Sequence, residues 1–409
     1  PTIGSVSGGN ASASVGATAP TDVGGASIDQ YVARTSDGTV VATSVTPPIA
    51  LSGLTNGQSY QFEVLAENVF GPSQYSAASA SVTPAPTSIE DVFSTYLYEG
   101  NGSTQTITNG IDLDGEGGLL WLKARSTTGE HALFDTARGT GTLLNTDSTN
   151  LARSETGLAS FNSDGFSFAN AGSTVAINFN GRTFASWAFR KAPKFFDVVT
   201  YTGTGSAGLT VSHNLGSVPG AIFVKSTTNS ANWYVYHRST GNEGVTLLNT
   251  TDSVFTGQSD AWNSTTPTDS SFQLGNAVAV NTSGQTYVAY LFAHNDGDGE
   301  FGPTADQDII KCGSVTMDGS GNASITLGFE PSWVLLKRTD STGSWAILDT
   351  MRGWAYSGTA YLQPNTSNAE GNYGSTDVGE PTATGFEMKS WGANASYIYI
   401  AIRRGPMKT

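Results

Sequence analysis

Three stretches decide how this sequence folds: Leu119-Leu120-Trp121-Leu122-Lys123, Ala221-Ile222-Phe223-Val224-Lys225 and Trp333-Val334-Leu335-Leu336-Lys337. Each is a short apolar run closed by a lysine. The lysines are 102 and 112 residues apart, and the features after them keep step. Twelve residues past each lysine stand Asp135, His237 and Asp349; fifteen past stand Arg138, Thr240 and Arg352. Then come Leu143-Leu144-Asn145-Thr146, Leu247-Leu248-Asn249-Thr250 and Tyr361-Leu362-Gln363-Pro364. A Phe-centred run follows at Phe166, Phe272 and Phe386, and each copy closes on a β-rich run at 184–189, 287–292 and 397–402. Landmarks recurring in order mark an internal repeat, each copy about the size of one sandwich of roughly 100 residues.

The closing runs lack polar alternation at their centres, so they read as strands buried on both faces. No long amphipathic helix is evident. Single helical turns are expected in the Asp-Thr-x-Arg-Gly segments. There Asp135/Arg138 and Asp349/Arg352 have the spacing of i,i+3 ion pairs, a structural role. The middle copy keeps Gly241 but lacks the pair. A lysine at the end of an apolar strand is expected to reach solvent or pair with a carboxylate.

Before the repeats the chain changes character. Residues 12–19, 28–33, 60–66 and 78–82 read as short strands, broken by Gly24-Gly25, Asp37-Gly38 and Asn56-Gly57. Tyr60, Phe62, Val64 and Ala66 fall on one face. The run Leu54-Thr55-Asn56-Gly57-Gln58-Ser59-Tyr60 to Asn68, followed by Gly71 and Ser73, resembles a fibronectin type III domain. Ala19-Pro20-Thr21-Asp22-Val23-Gly24-Gly25 with Tyr31 resembles its B–C segment. The resemblance implies a tyrosine corner at Tyr60 and a spacer role. The usual core Trp of strand B is replaced near Ala17. Thr83-Pro84-Ala85-Pro86-Thr87-Ser88 reads as a short, stiffened linker.

Tyr96 and Glu99-Gly100-Asn101-Gly102-Ser103-Thr104, then the lysine strand, Asp-x-x-Arg-Gly and Phe161-Asn162-Ser163-Asp164-Gly165-Phe166 stand in series along the first copy. This series resembles repeats in virion appendage and structural proteins of tailed phages, especially marine ones. That resemblance implies an all-β virion protein with a tail-fibre or surface-fibre role.

Composition narrows the function. Only 13% of the 409 residues are charged, against about 25% usually. The net charge of −15 disfavours nucleic-acid binding and docking on anionic membranes. No run approaches the ~18 apolar residues of a membrane span. Cys312 is the only cysteine, so intramolecular disulfides are excluded. The four histidines form no metal-ligand pair at motif spacing, and no nucleophile elbow, P-loop or zinc-protease motif is present. Starting at Pro1 and ending at Met407-Lys408-Thr409, the chain reads as a piece of a longer protein.

Two sets of residues are candidates for binding. Trp262, Trp354, Tyr356, Tyr361 and Tyr373 lie in presumed loops, either packed within the fold or at an interface, or stacked on sugars. The acidic loops Asp112/Asp114/Glu116 and Asp296/Asp298/Glu300 alternate carboxylates, as solvated turns or a weak Ca²⁺ site. No other cofactor is expected.

The fold expected is all-β: a fibronectin type III-like sandwich at 1–86, then three related β-sandwich or jelly-roll-like repeats at 87–194, 195–300 and 301–409. The function expected is non-enzymatic: a phage tail fibre or surface fibre/decoration protein at the virion surface, contributing to host attachment. Its expected partners are other virion proteins and host surface glycans, with a homotrimer as the oligomer considered. The alternative is a secreted bacterial adhesin or carbohydrate-binding protein.

Overall fold

The computed structural model describes residues 1–169 and 177–405; Met407, Lys408 and Thr409 lie outside them. The architecture is all-β and built of paired sheets. Contacts divide the chain into two compact units: 1–88 with 300–307, and 89–299 with 308–409.

The first unit is a sandwich. One sheet holds Thr2–Gly9, Ser12–Thr18 and Ile49–Ser52. The other holds Val41–Ser44, Gln30–Thr35, Phe62–Asn68 and Gly71–Pro72. Alternate residues enter the core, so Phe62, Val64 and Ala66 meet Val15, Ile49 and Leu51. Residues 78–82, expected as a strand, form only a bridge between Val82 and Tyr60. The cause is a serine at every third position. Ser73, Ser76 and Ser79 accept through Oγ from the N–H groups of Ala66, Val64 and Phe62, and return their own N–H to the same residues' carbonyls. The serines thereby cover an edge that would otherwise stay unpaired. The expected linker at 83–88 belongs to this unit, where Pro84 O accepts from Gly57 N. Tyr60 Oη accepts from Thr55 N at 3.0 Å. Tyr60→Phe is expected to cost about 1 kcal/mol in a denaturant melt, the net worth of one such bond.

In the second unit each copy repeats one strand order. Phe93–Glu99, Thr183–Arg190, Gly118–Ala124 and Ala132–Asp135 lie side by side in copy 1. Phe196–Thr202, Thr286–Phe292, Ala221–Ser226 and Tyr234–His237 match them in copy 2. Ile310–Thr316, Ser396–Arg403, Pro331–Arg338 and Ala346–Asp349 match them in copy 3. A smaller sheet faces each, built on Gly165–Phe168, Ser271–Leu274 or Gly385–Met388. Gly165 and Gly385 open these strands because a Cβ there would strike Ile107 O or Ile325 O.

The apolar lysine strand is buried on both of its faces. Leu120, Leu122 and Ala124 point into copy 1's own core with Phe134, Phe166 and Phe184. Leu119, Trp121 and Lys123 take the opposite face, which is also buried. Copies 2 and 3 cover that face.

Candidate functional site

The three copies dock on one another in a closed ring. Copy 1 meets copy 3 through Glu370 N to Arg125 O (2.9 Å) and Gly129 N to Ser367 O (2.8 Å). Copy 2 meets copy 1 through Ala152 N to Thr227 O (3.0 Å) and Ala231 N to Thr149 O (2.9 Å). Copy 3 meets copy 2 through Val254 N to Thr339 O (3.1 Å) and Gly343 N to Thr251 O (2.8 Å). The same positions relative to the lysine serve at all three seams, so the ring has pseudo-threefold symmetry.

A side chain eight residues past each lysine crosses the same seam. Trp233 Nε1 donates to Asn145 O (2.8 Å), and Trp345 Nε1 donates to Leu247 O (2.9 Å). In copy 1 the position is His131. Its Nδ1 accepts from Trp121 Nε1, so Nε2 carries the proton and donates to Gln363 O at 3.0 Å. Burial holds His131 well below the usual histidine range, in the neutral form. Trp345→Phe removes the donor and leaves Leu247 O short of a partner. The expected loss is about 1–3 kcal/mol in a chemical melt.

Asn145, Leu247 and Gln363 therefore hold equivalent places. The Leu-Leu-Asn-Thr landmark of copy 2 sits two residues later than its likeness to copy 1 suggested. Copy 3 is longer: seven residues separate Arg138 from Asn145 and Thr240 from Leu247, but eleven separate Arg352 from Gln363.

The lysines do not reach solvent. Lys123, Lys225 and Lys337 are fully buried. Lys123 Nζ donates to Ala124 O and Asn368 O, Lys225 Nζ to Thr149 O and Ala231 O, and Lys337 Nζ to Gly343 O. Desolvation pulls each ammonium down to about 8.

The Asp/Arg pairs form and do more than close a turn. Arg138 Nε and Arg352 Nε donate to Asp135 Oδ2 and Asp349 Oδ2 at 2.6 Å each, and both aspartates also accept from the arginine N–H. Thr350–Arg352 is the expected single turn, of 3-10 type. Each aspartate then takes a donor from another copy: Tyr290 Oη to Asp135 (2.7 Å), Trp187 Nε1 to Asp349 (3.1 Å). Opposite His237 stands Ile400, equivalent in register to Trp187 and Tyr290, and it has no donor. His237 accepts from Ser239 N through Nδ1 and gives Nε2–H to Tyr399 O at 3.1 Å. A neutral imidazole, pulled down to about 4 by burial, suits that donor-free wall. Around the axis Phe189 meets Phe292 at 5.6 Å and Trp333 at 5.8 Å, one ring from each copy.

The aromatic candidates divide. Trp262 is buried, its Nε1 donating to Gly244 O and its ring edge on Tyr236. Trp354 is buried likewise, bonded to Gly379 O and packed on Phe386. Neither offers a face to a ligand, so of the readings open for these aromatics these two follow packing within the fold. Tyr356 is exposed, and Tyr361 and Tyr373 are half-buried with ring centres 4.5 Å apart. Trp391, which the sequence reading passed over, stands 6.0 Å from Tyr373.

The acidic loops do not converge. Asp112 accepts from Gly115 N, Glu116 lies 3.9 Å from Arg190, and Asp114 is exposed. Asp298 accepts from Asp296 N, Asp296 lies 3.6 Å from Lys311, and Glu300 belongs to the first unit. Among the described residues no three His, Cys, Asp or Glu side chains are grouped to hold a metal ion. Nor, among them, is any helix long and apolar enough to cross a membrane.

The three β-copies form a ring whose seams are crossed by buried lysine, histidine, aspartate and indole groups. Residues 88–406 match a family described as a domain of unknown function (DUF7483), and the chain belongs to that family. No curated protein matches the chain. Among solved structures, the crystal structure of the chicken CNTN1 FN1-FN3 domains is similar at 12% identity. The alignment covers 71% of this chain and 91% of that one, with a TM-score of 0.17.

Proposed function

We propose that this protein is a non-enzymatic adhesive scaffold that acts at an exposed surface. One observation carries the reading. Lys123, Lys225, His131, His237, Asp135, Arg138 and Asp349, buried groups that could do chemistry, each bond across from one copy to another. What remains for function is the outer loops, which tolerate change on a rigid frame. The first unit is read as a fibronectin type III-like spacer.

Copy 3's exposed and half-buried rings favour a secreted adhesin or carbohydrate-binding protein. The series of landmarks from Tyr96 to Phe166 favours a second setting, a tailed-phage fibre or decoration protein working beside other virion proteins. Labelled whole chain is expected to coat target bacteria while releasing no reducing sugar from their polysaccharides. Sugar release would overturn the non-enzymatic reading. Failure to coat any cell would overturn adhesion. Co-sedimentation with phage particles, or its absence, separates the two settings.

A further inference from the structure

We propose that the row Tyr361, Tyr373 and Trp391 on copy 3 binds neutral pyranose sugars of a surface glycan; this rests on the adhesive reading. The rings stand 4.5 and 6.0 Å apart in sequence, each half-buried with part of its surface open. The row is anchored beneath. Trp391 Nε1 donates to Val378 O (2.8 Å), and Tyr397 Oη donates to Trp391 O (2.7 Å).

Copies 1 and 2 act as internal controls. In sheet register Tyr361 corresponds to Leu143 and Val245, both buried. Tyr373 corresponds to Glu155 and Gly257. Trp391 lies six residues before Tyr397, as Asn178 lies before Phe184 and Asn281 before Tyr287. Those asparagines hold a turn by accepting from Asn101 N (3.0 Å) and Thr204 N (2.7 Å). The ring of copies thus closes without these aromatics. They arrive together with the four extra residues of copy 3, next to exposed Tyr356.

The rim selects the ligand. Lys389 Nζ sits between Asp377 (3.1 Å) and Glu387 (3.0 Å), and lies 5.9 Å from the Tyr356 ring. Asn372 is fixed by Gly358 O and Gly374 N. These charges are already paired, so the site suits a neutral partner rich in hydroxyls. Sugar C–H faces stack on the rings while the hydroxyls meet the rim. A protein partner needs about 800 Å² on each side, more than a narrow row of half-buried rings supplies.

The test is calorimetric titration of the whole chain with cellohexaose, maltohexaose and laminarihexaose, guided by a glycan array. Tyr361→Leu, Tyr373→Gly and Trp391→Asn install residues the other copies use at these places. Each is expected to weaken binding about tenfold or more while the chain keeps its wild-type β-rich circular dichroism, with some loss of melting temperature because all three rings also pack on the copy 3 core. Wild-type chain that binds no sugar, or variants that bind as well as wild type, would overturn the proposal. Should the variants still coat cells, adhesion stands and this site falls. Should a protein receptor bind the row and no sugar do so, the ligand class is wrong.

Discussion

Replacing Asp135 with alanine is expected to destabilise the three-copy unit by about 3–5 kcal/mol, the usual cost of breaking a buried ion pair from one side. Arg138 would keep Leu133 O and Tyr290 Oη as partners but lose its carboxylate. Tyr290 Oη would lose its acceptor in the same stroke. The damage therefore falls on the seam between copies 1 and 2 as well as on the turn. Asp349→Ala removes the matching group in copy 3, but there Glu370 stands 3.3 Å from Arg352 Nη1. The second substitution is expected to cost less than the first, near the lower end of that range. Guanidinium melts followed by tryptophan fluorescence read both. Trp121, Trp187, Trp233, Trp333 and Trp345 are all buried in this unit, so they report the copies together. One shared transition shifted by both variants is the expected record. Costs below 1 kcal/mol, or three separate transitions, would show that the seams do not hold the copies as one body.

Why the sequence showed these pairs but not their partners follows from distance along the chain. An aspartate and an arginine three residues apart are a local feature, and local geometry brings them together. Tyr290 is 155 residues from Asp135, and nothing in either neighbourhood announces the other. The lysines were misread for the same reason. A strand-end lysine normally finds water, and the carbonyls of Thr149 and Asn368 that replace water come from other copies. The closing runs were legible as strands covered on both faces, although the second cover is a neighbouring copy. Trp262 and Trp354 looked like loop aromatics because a buried indole needs only one carbonyl, and a loop supplies that as readily as a strand. Trp391 left a readable trace, since it stands where the other copies carry Asn178 and Asn281. Only a register taken from the closing strands exposes it.

Stability of the three-copy unit is expected to rise as pH climbs from about 8 to 9.5, where most proteins gain nothing. The sign follows from the buried lysines. Desolvation sets Lys123, Lys225 and Lys337 near 8 in the fold, whereas an unfolded lysine titrates near 10.4. Between these values the unfolded chain holds the extra proton, so stability grows with pH. Each lysine contributes about 2 kcal/mol by pH 9.5, to an order of magnitude. Two groups oppose the rise. Burial pushes the Cys312 thiol up, so above about 8.5 the unfolded chain loses a proton that the fold keeps. Tyr98, Tyr201 and Tyr290 are raised by burial too, and they turn the curve down above about 10. The lysines outnumber the one thiol, so the maximum falls between these limits. Urea midpoints at pH 7, 8, 9 and 9.5 measure the rise. Lys225→Met isolates one share of it, because desolvation alone displaces that lysine. The variant is expected to lose about a third of the lysine contribution, and so somewhat more than a third of the net slope. A wild-type midpoint that stays flat or falls from pH 8 to 9.5 would mean these ammonium groups reach water, and the seams would then be open where the ring requires them shut.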